Sequence, residues 1–222
     1  MKKNLLLILT IAAIGAGSCK KESNAQAAID STADSYFPLT SGSTWKYAVT
    51  GAGGNDMLTV KMTGATITIN GRTYYKATNS YQKKGGSTGY FFDASHIYGK
   101  GAANTDAGLA IEFKFLNDTA AVGHSWVHSP TDDGMINGIP VQTVNTIVEK
   151  DIGKTIGGET FTGVIHTRVD LQYNYGSGFQ SSAVYDFYFA KGVGLIETDT
   201  SFSGAIYETE TIVSYAINPM LL

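Results

Sequence analysis

Apolar and polar residues alternate along most of this chain. Leu109, Ile111, Phe113 and Phe115 alternate with Ala110, Glu112 and Lys114. Ile165, Thr167, Val169, Leu171 and Tyr173 alternate with His166, Arg168, Asp170 and Gln172. Shorter versions occur at Leu58-Val60-Met62, set against Thr59 and Lys61, and at Tyr185-Phe187-Phe189, set against Val184, Asp186 and Tyr188. A period of two puts one set of side chains on each face of a strand, so each run predicts a strand with one apolar face. No stretch after residue 36 carries a 3.6-residue apolar stripe over three turns. Turn residues separate the runs: Asn70-Gly71, Lys83-Lys84-Gly85-Gly86, Asn137-Gly138, Gly157-Gly158 and Gly176-Ser177-Gly178. The pattern predicts an all-β domain of roughly ten to twelve strands, mostly antiparallel because the loops are too short for helical crossovers. The expected shape is a curved sheet, a sandwich or an open barrel.

The strands repeat in order. Ser41-Gly42-Ser43-Thr44-Trp45-Lys46-Tyr47 is similar to Val122-Gly123-His124-Ser125-Trp126-Val127-His128. Thr66–Thr78 is similar to Lys154–Thr167: a strand, a turn glycine, a charged residue, Thr, an aromatic and a second strand. Gly89–Asp93 is similar to Asp186–Ala190. This order suggests two related β-meanders, neither able to bury its apolar face alone. Trp45 and Trp126 each follow a glycine turn, where a large ring can close the end of a core. They are expected to be structural and not sugar-stacking platforms.

The first residues depart from this pattern. Lys2 and Lys3 precede an apolar run from Leu5 to Ile14, and Gly15, Ala16, Gly17 and Ser18 follow. That is the layout of a secretory signal, too short to span a bilayer as a helix. The small residues end at Cys19, the single cysteine of the chain. Ala16-Gly17-Ser18-Cys19 resembles the lipobox of bacterial lipoproteins. The resemblance implies that the Cys19 sulfur receives a diacylglycerol, that residues 1–18 are removed and that the new N-terminus is acylated. Two or more acyl chains anchor a protein stably where one does not. Lys20 in place of Asp implies outer-membrane sorting by the same resemblance. Lys20–Ser35 is small, polar and without aromatics, so residues 19–35 read as a tether, with a single domain over 36–222. Pro38-Leu39-Thr40-Ser41-Gly42-Ser43-Thr44-Trp45-Lys46-Tyr47 and Lys191-Gly192-Val193-Gly194-Leu195 resemble elements of uncharacterised β-rich bacterial lipoproteins. That implies an all-β fold and brings no activity.

Charge narrows the partners. Loss of residues 1–18 removes two of the 16 basic residues and none of the 19 acidic ones, leaving a net charge of about −5. Lys20-Lys21 and Lys83-Lys84 are the only basic clusters left. Nucleic acid is therefore not an expected partner, because neutralising phosphates needs several Lys or Arg on one face.

Candidate chemistry is sparse. No hydrolase nucleophile elbow, H-E-x-x-H or C-x-x-C is expected, and acylation would consume Cys19. His124 and His128 would suit a metal on a helix, but on a strand they lie about 13 Å apart. His96 and His166 stand apart from them. Asp132, Asp133 and Asn137 sit near turn glycines as in calcium loops, yet no closing Glu follows, and Asx turns account for them. Glu208 and Glu210 share one strand face, as do His166 and Arg168. If those strands are neighbours, exposed cross-strand ion pairs follow. Two carboxylates on one face could also serve a glycosidase. The expectation is a non-enzymatic, lipid-anchored envelope protein that binds or scaffolds, without cofactor or metal. An apolar-ligand carrier and a glycan hydrolase are the alternatives. Its partners are the membrane, through the anchor, and an unidentified glycan, lipid or protein.

Overall fold

Thirteen strands and no helix make up residues 34–104 and 108–219, which the computed structural model describes. They are β1 (Thr44–Gly51), β2 (Asp56–Ile69), β3 (Arg72–Tyr81), β4 (Gly85–Ala94), β5 (Ile97–Asn104), β6 (Gly108–Asn117), β7 (Ser125–His128), β8 (Met135–Ile136), β9 (Ile139–Ile156), β10 (Glu159–Asn174), β11 (Phe179–Ala190), β12 (Gly194–Phe202) and β13 (Ala205–Ala216). All pairings are antiparallel. The fold is therefore all-β, and one antiparallel sheet curls into a nearly closed barrel.

The sheet order is β6-β5-β4-β3-β2-β1-β13-β12-β11-β10-β9-β7, with β8 beside β9. Each half is a meander, and β1 and β13 join them through eight register pairs. The second junction, between β6 and β7, is a seam. Glu112 N donates to Pro130 O at 2.7 Å across it, and Thr167 Oγ1 on β10 donates to Phe115 O on β6 at 2.7 Å.

The two halves follow one path. Trp45 lies on β1 and Trp126 on β7, and the similar hairpins are β2–β3 and β9–β10. Gly42 N donates to Met62 O at 2.9 Å and Met62 N to Ser43 O at 2.9 Å. In the second half Gly123 N donates to Ile147 O at 2.8 Å and Ile147 N to His124 O at 3.0 Å. Both turn glycines have positive φ, 80° and 82°, a region open to glycine at no steric cost. Asn70-Gly71 (φ 50° and 77°) and Gly157-Gly158 (59° and 88°) turn the two long hairpins. Positive φ at both central residues matches the twist of the strands they join.

Inward-facing residues fill one end of the barrel. Phe115 stacks on Phe189 at 5.0 Å, and Phe187 and Phe37 approach Phe115 at 5.4 and 5.7 Å. Phe37 belongs to Ser35–Thr40, a buried segment that plugs this end before β1 begins. Gly192 N donates to Ser35 O at 2.8 Å, fixing the plug to the β11–β12 turn. A fully buried Phe contributes about 2 kcal/mol relative to an exposed one, so this ring cluster is a main source of stability.

The two tryptophans differ in their surroundings. Trp45 is buried, and its Nε1 donates to Val193 O at 2.7 Å. Trp126, beside the seam, is half-buried and stacks on His124 at 5.9 Å. Trp45→Phe, which strands the Val193 carbonyl, is expected to cost about 2 kcal/mol, and Trp126→Phe under about 1 kcal/mol. Urea unfolding followed by circular dichroism reads the difference.

Candidate functional site

Backbone bulges give the barrel a second layer. Register shifts between Met62 and Thr66 on β2 bend the β2–β3 hairpin over the outer face of the sheet. Its tip covers a satellite core of Ile69, Tyr74, Tyr90 and Phe92, with the Arg72 guanidinium 4.3 Å above the Phe92 ring. Shifts between Phe161, Val164 and His166 do the same for the β9–β10 hairpin, which lies over β13. A cavity sits beneath each tip.

The cavity under β2–β3 is polar. It has a volume of about 220 Å³ and is lined by Arg72, Tyr74, Glu112, Lys114, His128 and Thr131, among others. Glu112 is its centre. Its Oε2 accepts the Tyr74 hydroxyl and lies 3.2 Å from Arg72 Nε. Its Oε1 lies 3.6 Å from His128 Nε2 and 3.8 Å from Lys114 Nζ. His128 Nε2 and Thr131 Oγ1 are buried without a hydrogen-bond partner among the described residues. The counterpart cavity under β9–β10 measures about 320 Å³ and is lined by Ile156, Phe161, Val213 and Tyr215. Equivalent positions in the two halves thus carry a charged cradle and a largely apolar one.

Burial lowers the His128 pKa to about 4, and the nearby Lys114 charge adds to the shift. The unfolded chain holds that proton up to about pH 6.5 and the folded chain only below about 4. Between those values the unfolded state binds more protons, so stability falls as pH drops through this window. The expected loss is on the order of 2 kcal/mol between pH 6.5 and 4, discounted for the partial exposure of the ring. Denaturant midpoints across that range should show a shallower slope in His128→Gln.

A second charged cluster lies on the outer face of β9–β11. His166 Nε2 is 2.7 Å from Asp186 Oδ1, and its Nδ1 is 3.1 Å from Glu149 Oε2. Arg168 binds Asp186 through two nitrogens, at 2.9 and 3.1 Å. Those bonds and His166 hold the Asp186 carboxyl below its usual range against the opposing effect of burial. The sequence left open a pairing of His166 and Arg168 with Glu208 and Glu210. That pairing is corrected here, because β11 and β12 separate β10 from β13.

Glu208 and Glu210 instead face the barrel interior. Register places them opposite Gly51 and Val49 on β1 and opposite Thr200 and Thr198 on β12. This is the end away from the plug. Glu208 Oε2 lies 3.7 Å from Lys84 Nζ. Glu210 faces Lys100, which reaches from β5 across the interior to within 5.3 Å of the Phe187 ring on β11. Enclosure by the barrel wall raises the Glu210 pKa and lowers that of Lys100; each charge partly offsets the effect on the other. Both side chains are nevertheless only half-buried, so water reaches them through the mouth. Sequence reasoning placed Glu210 on a solvated face and missed Lys100. Its opposite number lies on a strand five places away in the sheet.

The remaining sequence candidates are dispersed. His96 is a β4–β5 turn residue whose Nδ1 lies 2.8 Å from Asp118. His124 and His128 serve different sites, one against Trp126 and the other against Glu112. Asp133 accepts Met135 N at 3.0 Å in an Asx turn, Asp132 accepts Asn70 Nδ2 at 2.6 Å from the β2–β3 hairpin, and Asn137 starts a turn with φ of 53°. Among the described residues, no three His, Cys, Asp or Glu side chains converge so as to hold a metal ion. Gly85-Gly86-Ser87-Thr88-Gly89 does match the letters of the nucleophile motif G-x-S-x-G, which corrects the expectation that none occurs. It lies along strand β4, with Ser87 opposite Asn79. A nucleophile elbow requires a sharp strand-to-helix turn, which a continuous strand does not provide. Cys19 lies outside the described residues.

Neither family models nor curated proteins match this chain. Among solved structures it is similar to a chain from Parabacteroides distasonis provisionally described as a lipoprotein, with 10% identity, 82% of this chain and 98% of that one covered, and a TM-score of 0.46. It is also similar to a provisionally described exported protein with a YmcC-like fold from Bacteroides fragilis, with 8% identity, coverage of 81% and 98%, and a TM-score of 0.46.

Proposed function

We propose that this chain is a lipid-anchored protein of the cell envelope, held by diacylated Cys19 at the outer membrane of a Gram-negative bacterium, and that its barrel is a non-enzymatic binding module. The observation that carries the reading is the plug. Tyr36, Phe37 and Leu39 are buried in one end of the barrel and enter it directly from the N-terminal side. Ser35 lies sixteen residue steps beyond Cys19, a reach of at most about 55 Å at full extension. An anchor at Cys19 would therefore join the barrel at its plugged end, so that the tether need not cross the opposite mouth.

The stacked phenylalanines occupy the space that a long acyl chain would need, which favours a binding module over an apolar carrier. Metabolic labelling with a radiolabelled fatty acid tests the anchor. The wild type should take up label and partition with membranes, whereas Cys19→Ser should do neither. Equal labelling of the two would overturn the reading.

A further inference from the structure

The mouth opposite the plug holds polar groups whose bonding capacity the protein itself leaves unused. Thr198 is 6% exposed, and its Oγ1 has no hydrogen-bond partner among the described residues. Asn79 Oδ1 is buried and likewise without one. Thr198 lies beside Glu210 on one side and Phe187 on the other, all on the interior face. Asn79 comes from β3 on the same face, and its Oδ1 leans over Gly89, where a Cβ would lie only 3.1 Å away.

Glu210 and Lys100 complete the set. They point into the same interior from β13 and β5, Glu210 beside Thr198 and Lys100 within 5.3 Å of the Phe187 ring that flanks Thr198, and neither has a hydrogen-bond or ion-pair partner among the described residues. Leaving a buried acceptor unmade costs about 1–3 kcal/mol, more where a charge is involved. Thr198 Oγ1 and Asn79 Oδ1 are two such acceptors; with the half-buried, unpaired charges of Glu210 and Lys100 on the same interior face, they point to an occupant. The rim of that face is open, because a Cβ on Gly85 of β4 would meet nothing within 4 Å. Tyr81 and Tyr185 supply aromatic walls.

The chemistry of the four groups selects the occupant. Glu210 and Asn79 Oδ1 accept, and Lys100 donates. The Thr198 hydroxyl can do either. The matching molecule is compact and carries one cationic donor group and one anionic acceptor group. We infer that the mouth of the barrel binds a free α-amino acid as its zwitterion, with the ammonium on Glu210 and Asn79 Oδ1 and the carboxylate on Lys100. A singly charged molecule would satisfy one of the opposed charges and leave the other bare. This rests on the binding-module reading but not on the lipid anchor.

The test is calorimetric titration of the full-length, detergent-solubilised protein with the free amino acids. Each aromatic amino acid is accompanied by its decarboxylated amine and its deaminated acid. At least one amino acid should bind, and at least about tenfold more tightly than either matched analogue. Glu210→Gln and Lys100→Met should each weaken it at least about tenfold while unfolding cooperatively. Lys191→Met, at the exposed β11–β12 turn of the plugged end, should leave binding unchanged. Absence of binding across the panel would overturn the inference. So would an amine or acid bound as tightly as the parent, or folded Glu210 and Lys100 variants of undiminished affinity. Proton NMR of the same mixtures separates the two levels: chemical conversion of the amino acid would overturn the non-enzymatic reading, whereas failure to bind leaves that reading standing.

Discussion

Phe115→Ala is expected to destabilise the barrel by about 3–5 kcal/mol, the cost of removing a fully enclosed aromatic ring and leaving the cavity unfilled. Phe115 is 2% exposed and touches the rings of Phe37, Phe187 and Phe189. Three elements therefore lose contact at once: the plug, β11 and the edge strand β6. The site cannot collapse easily, because the Phe115 carbonyl is pinned by Thr167 Oγ1 on β10. At roughly 2–4 °C per kcal/mol for a chain of this size, the melting temperature should fall by about 10 °C or more. Phe115→Leu should recover more than half of the loss. A melting temperature unchanged in Phe115→Ala would mean that this end of the barrel is not packed as described.

Gly99→Ala should be nearly as damaging, for the opposite reason. A Cβ at Gly99 would lie 2.4 Å from the Phe113 carbonyl oxygen and 2.3 Å from Phe92 Cε1. The first is backbone of the neighbouring strand, and the second belongs to a ring that is 0% exposed, so neither can give way cheaply. The β5–β6 pairing and the satellite core would have to separate together. Overpacking of this kind costs typically about 1–3 kcal/mol, and a backbone contact puts Gly99→Ala at the upper end, about 3 kcal/mol. Gly71→Ala meets nothing within 4 Å and carries only the cost of its positive φ, so it serves as the control. Chemical denaturation of both variants gives the comparison, and equal midpoints would contradict the close approach at Gly99.

Local chemistry was readable from the chain, and long-range pairing was not. The alternation at Ile165–Tyr173 marked β10 and its inward face, because a period of two records which side of a strand is apolar. The turns at Asn70-Gly71 and Gly157-Gly158 were legible because few residues accept positive φ twice in succession. The β4–β5 turn was not, since Ser95 and His96 adopt φ of 52° and 73° without the residues that usually announce it. The Asp118 side chain and backbone hold that turn from a distant part of the sequence. The outer cavity was invisible for a related reason: Glu112 reads as an ordinary solvent-facing strand residue until a bulge near Gly64 bends the β2–β3 hairpin over it. The opposition of Lys100 and Glu210 depends on closure of the whole ring, which no local pattern encodes.

The junction of β1 with β13 has a consequence for how the chain is made. β1, the first strand of the barrel, finds its second neighbour only at β13, more than 150 residues later, and Asn218 bonds back to Thr40, Ser41 and Ser43. Synthesis therefore leaves β1 with a bare edge until residues 205–216 have been made, and an edge of that kind invites pairing with other chains. High contact order makes the closing step slow as well. A transcript truncated before codon 205 would yield an aggregating fragment rather than a smaller folded protein.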